Sequence, residues 1–82
     1  KKQKHIAREY GRNCAKHLFE LFQDPKMRGP KFTFDKLPQL CKDMAEAETF
    51  LYFPHKVKKE ISVLAGEAAF KEAANLIKDL NV

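Results

Sequence analysis

Apolar side chains recur at spacings of three and four through residues 3–23, where Ile6, Tyr10, Cys14, Leu18, Leu21 and Phe22 share one side of an expected helix. Asp24-Pro25 closes it, because proline disfavours helical geometry in the residue before it. The following "PKMRGPKF", with two prolines and a glycine, reads as a loop. Thr33 and Asp35 are good N-cap types, so a second helix is expected over 34–48, with Pro38 tolerated in its first turn. Its apolar stripe is Leu37, Leu40, Cys41, Met44 and Ala45.

Beyond Pro54 the pattern changes phase. Val57, Ile61, Leu64 and Ala68 share one face, whereas Ala69, Phe70, Ala73, Leu76, Ile77 and Leu80 centre about 150° away. A straight helix would then bury opposite sides in its two halves, and Gly66 suits the left-handed position that closes a helix. The expectation is therefore two helices, 54–65 and 67–80, and an all-α, compact four-helix domain. Within it, Ala7, Gly11 and Ala15 at i, i+4, i+8, together with Ala68, Ala69, Ala73 and Ala74, would let two backbones approach closely.

Between the second and third expected helices lies "TFLYFPHKVKK", which places Phe50, Leu51, Tyr52 and Phe53 side by side. The run is far short of the roughly 20 apolar residues of a membrane span, so no membrane is expected. With Pro54 at the first position of a helix, it forms a junction. Phe32 and Phe34 flank Thr33 at the preceding junction. Helical domains take partner helices or peptides into grooves edged by such rings. The bland alternative is that these rings plug the ends of a small core.

Size limits the options. Eighty-two residues make one domain, 1–82, without room for two lobes around a cleft. The chain opens on Lys1 without an initiator Met and without a secretory apolar segment. It reads as a domain excised from a larger intracellular protein, nuclear or cytoplasmic.

Charge adds a second candidate surface. Residues 1–36 hold ten Lys or Arg against four acids, and the remaining 46 hold six against seven, so the excess of +5 lies in the first half. Lys1, His5, Arg8, Arg12 and Lys16 fall within a sector of about 80° on the first helix, opposite its apolar face, and Phe19 ends the stripe. Lys26, Arg28 and Lys31 in the loop could extend it. Such a stripe can neutralise successive phosphates of DNA or RNA, and an aromatic beside it can stack on an unpaired base. A solvated amphipathic face would look the same.

Catalytic patterns are missing from the sequence. Ser62, the one serine, has no glycine elbow, and Gly11, Gly29 and Gly66 are too scattered to cradle a phosphate. Cys14 and His17 share adjacent helical positions, but a zinc site ordinarily needs a second close-spaced pair, so neither metal nor cofactor is expected. The two cysteines read as buried thiols. A DNA-reading helix-turn-helix at Gly66 would need apolar residues one, six and nine positions later, where Glu67, Glu72 and Asn75 stand.

These readings converge on a non-enzymatic interaction module binding a partner helix or peptide through Phe32, Phe34, Phe50, Tyr52 and Phe53. Nucleic-acid binding through the basic stripe is the alternative, and a homodimer is a further form of partner.

Overall fold

The computed structural model describes residues 2–52 and 58–80, without the side chains of residues 2, 3, 28, 52 and 58. Among the described residues there are four α-helices and no strand: α1 (Lys2–Phe22), the single-turn α2 (Pro25–Arg28), α3 (Leu37–Tyr52) and α4 (Lys58–Leu80). A 3₁₀ turn, Phe34–Lys36, leads into α3. No helix among them is long and apolar enough to cross a membrane.

The all-α, four-helix expectation holds, but its division of the chain does not. The two helices expected at 54–65 and 67–80 are one helix, α4, from Lys58 onward; the expected start at Pro54 lies outside the described residues. Gly66 is buried in its middle and, unlike Gly29, has no positive φ. The phase change has a different cause. The buried row Ile61, Ala65, Ala69 and Ala73 steps by four residues, and each step advances about 40° around the helix. A row that winds in this way meets different neighbours along its length without any break.

Those neighbours are α1 and α3, which both pack along α4 and touch each other much less. Lys4 on α1 pairs with Glu60, and Gly11 lies against Ala65 and Ala69, so α1 runs parallel to α4. Tyr10 bonds Glu48 while His17 and Leu18 lie beside Met44, so α3 runs antiparallel to α1. At about 1.5 Å per residue the 23-residue α4 spans most of the molecule's 40 Å length.

The core is built mainly from small side chains. Ala7, Gly11 and Ala15 of α1 face the alanine row of α4, while Leu18, Leu37, Cys41, Ala45 and Ile61 supply most of the remaining buried volume. The α1–α4 contact is close enough that a Cβ on Gly11 would sit 2.1 Å from the Ala65 carbonyl oxygen. Ile6, first in the apolar stripe read from sequence, is 51% exposed. The seam against α4 is thus the small-residue strip, one position around from the bulky one. The two buried hydroxyls bond carbonyls of their own helices, Thr49 that of Ala45 and Ser62 that of Lys59. Among the described residues no buried side-chain polar atom lacks a partner.

The segment joining α1 to α3 is held by local bonds. The backbone amides of Gln23 and Asp24 donate to the carbonyls of Glu20 and Leu21, and the Asp24 carboxylate then accepts from the Lys26 amide, capping α2. Gly29 ends α2 at φ 77°, a conformation glycine adopts without steric cost. α3 begins at Leu37 and runs to Tyr52, a full turn beyond the expected 48. Pro38 is buried in its first turn, where a missing N–H breaks no helical bond.

Candidate functional site

At the end of the molecule where α1 stops, four phenylalanines meet. One helical turn puts Phe19 and Phe22 on neighbouring sides of α1, while the extended backbone at Thr33 (φ −125°, ψ 146°) turns Phe32 and Phe34 to the same side. Phe22 packs on Phe32 with ring centroids 4.7 Å apart, Phe32 meets Phe34 edge-on at 5.8 Å and 80°, and Phe34 reaches Phe19 at 6.0 Å. These centroid separations lie in the range of favourable aromatic pairs. All four rings are half-buried against the core.

The outer side of this cluster remains open. Pro25, Gly29, Pro30, Phe32, Thr33 and Phe34 line a groove of about 660 Å³. Met27, two positions after Pro25 and so on the other side of the α2 turn, is 52% exposed. Lys26, Lys31 and Lys36 are exposed on the same segment.

The other aromatic set is at the opposite end. Phe50 and Leu51 lie on the last turn of α3, both exposed, about 20 Å along the helix from its start at Leu37. The Tyr52 side chain and Phe53 lie outside the described residues. Phe32 and Phe34 are therefore brought together, and Phe50 is not brought to them.

The basic residues also divide. His5, Arg8 and Lys16 are exposed and Arg12 half-buried on α1, while Lys1 and the Arg28 side chain lie outside the described residues. His5 pairs with Glu9 at 3.6 Å. Arg8 and Arg12 line a groove of about 390 Å³ whose other wall is Leu64, Glu67, Ala68, Lys71, Glu72 and Asn75 of α4. The residues that argued against a helix-turn-helix thus face the basic stripe, and their carboxylates offset part of its field. Phe19 belongs to the aromatic cluster through Phe34.

A third, smaller cavity of about 240 Å³ lies between α1 and α3, lined by Tyr10, Asn13, Cys14, His17, Leu18, Met44 and Glu48. The Tyr10 hydroxyl donates to the Glu48 carboxylate, a pairing 38 positions apart that no local pattern announces. Burial, and then the Glu48 charge, push the Cys14 thiol up. Burial, with a smaller contribution from Cys14, pushes Cys41 up to about 12. A raised thiol pKa lowers the thiolate population that nucleophilic attack requires. No group of three or more His, Cys, Asp or Glu suited to a metal occurs among the described residues.

Both thiols hold their protons more tightly folded than unfolded. The stability they contribute is complete below the ordinary thiol range near 9.0 and falls as pH rises from there, in the case of Cys41 toward about 12. Denaturation midpoints should accordingly drop above pH 9.0, less steeply in Cys41→Ala than in the parent. Alkylation at neutral pH should modify half-buried Cys14 first and reach Cys41 only on unfolding.

No protein-family model matches the chain, and neither a curated protein nor a solved structure shows significant similarity to it.

Proposed function

We propose that this domain is a non-enzymatic protein-interaction module that receives a partner helix or peptide in the groove of residues 25–34. One observation carries the reading: Phe32 and Phe34 are fixed by ring packing onto α1, yet still line an open groove. Rings already ordered in the free domain lose little further freedom on binding, which is how preorganised surfaces gain affinity. Aromatic anchors are a common component of such surfaces. Phe50 and Leu51 would form a separate contact on the far end.

Arg8 and Arg12 favour nucleic acid as the second reading. Neither lies within ion-pair distance of a described carboxylate, and both line the groove shared with Lys71. Glu67 and Glu72 in the same groove weigh against it.

One affinity-purification experiment separates the two. Proteins retained from lysate by the domain should survive nuclease treatment and be lost with Thr33→Trp, which enlarges an exposed lining residue, and with Phe34→Ala where circular dichroism shows an intact fold. Hot-spot truncations of this kind weaken binding about thirtyfold or more. Retention that ignores both substitutions rejects the groove. Retention that vanishes with nuclease and with Arg8→Glu/Arg12→Glu selects nucleic acid instead.

A further inference from the structure

We infer that the occupant of the 25–34 groove is an acidic segment of a partner protein carrying a large apolar anchor. The inference rests on the interaction-module reading and specifies its ligand chemistry.

The open groove of about 660 Å³ is lined by two prolines and two phenylalanine rings, with polar atoms among them. Its surroundings are not neutral. Residues 24–36 carry four bases, Lys26, Arg28, Lys31 and Lys36, against two acids. One of those acids, Asp24, is engaged in capping α2 through the Lys26 amide. Lys26, Lys31 and Lys36 are exposed, so their ammonium groups are placed to meet a ligand and not to balance internal carboxylates. Among the described residues none of the three takes part in an ion pair.

An apolar floor beneath a cationic rim selects by two terms. The anchor's burial supplies affinity, and complementary charge steers approach and rejects basic ligands. A neutral peptide would use only the first term, and a polyanion without an apolar side chain only the second. An acidic segment with an aromatic or leucine anchor uses both.

A phage-displayed library of random linear peptides, panned on the domain at low salt, tests this. The enriched sequences should place Asp or Glu around an aromatic or leucine residue. The best of them, made synthetically, should lose about tenfold in affinity on the exposed double substitution Lys26→Glu/Lys31→Glu and weaken as salt rises. It should also be lost on Thr33→Trp, which enlarges an exposed residue of the groove lining without changing charge. If the enriched peptides are neutral or basic but still need Thr33 and Phe34, the groove stands and the acidic ligand is rejected. If no enriched peptide depends on Thr33 or Phe34, the groove and its ligand fall together.

Discussion

Gly11→Ala should destabilise the domain by about 2 kcal/mol or more, although alanine is the better helix former. In an exposed helix the exchange would gain about 1 kcal/mol. Here the new Cβ meets the Ala65 carbonyl oxygen at 2.1 Å and the Ala69 amide nitrogen at 3.1 Å, where ordinary contact begins at 3.4 Å. Both atoms belong to the backbone of α4, so no side chain can swing aside. α1 must lift from α4 along their shared seam, a cost at or above the upper end of the 1–3 kcal/mol typical of overpacking. Against a total stability of about 4–12 kcal/mol for a chain of this length, the melting temperature should fall by about 10 °C or more. Gly66→Ala is the control. The three atoms nearest its Cβ all belong to the Glu46 side chain, with Cγ at 2.6 Å, so half-buried Glu46 must change rotamer while no backbone has to move. The helical gain and the cost of moving Glu46 should largely cancel, leaving Gly66→Ala within about 1 kcal/mol of the parent. Urea denaturation of the two variants decides both cases. A tolerated Gly11→Ala would mean that the seam is looser than the described packing.

Gly11 and Gly66 also show what was legible in the sequence and what was not. The i, i+4, i+8 spacing of Ala7, Gly11 and Ala15 announces close helix packing directly, because only small side chains permit it, and that strip is the α1–α4 seam. Gly66 has two meanings, a left-handed helix end or a close approach, and a phase shift beside it favoured the first. The shift came from a row stepping by four along one helix with two neighbours. That is a tertiary cause, invisible to a pattern that treats each helix as having one buried face. The basic sector of α1 was readable from angles alone. Its opposing wall of Glu67 and Glu72 was not, since nothing local says that α1 and α4 run side by side. The aromatic groove was half legible. Alternation around Thr33 put Phe32 and Phe34 on one side, but their stacking on Phe19 and Phe22 depended on the path of residues 23–31.

Leu37→Ala should cost about 2–5 kcal/mol, the range for truncating a large buried aliphatic side chain. Leu37 is fully buried and heads the largest such side chains in a core otherwise dominated by alanine. Its position matters as well. Leu37 follows the 3₁₀ turn, its amide donates to the Phe34 carbonyl, and it opens α3. Loosening it should release the turn that carries Phe34, so peptide binding in the groove should weaken along with stability. Leu51→Ala removes the same atoms at a site 81% exposed and should change stability by no more than about 0.5 kcal/mol. If Leu37→Ala melted normally yet lost groove binding, Leu37 would be shaping the site alone. If it lost stability while a folded fraction still bound with parent affinity, the ring packing of Phe22, Phe32 and Phe34 would suffice to hold the groove. Denaturant titration with peptide present and absent separates these outcomes, because a ligand that binds only the folded groove raises the midpoint in proportion to the affinity that remains.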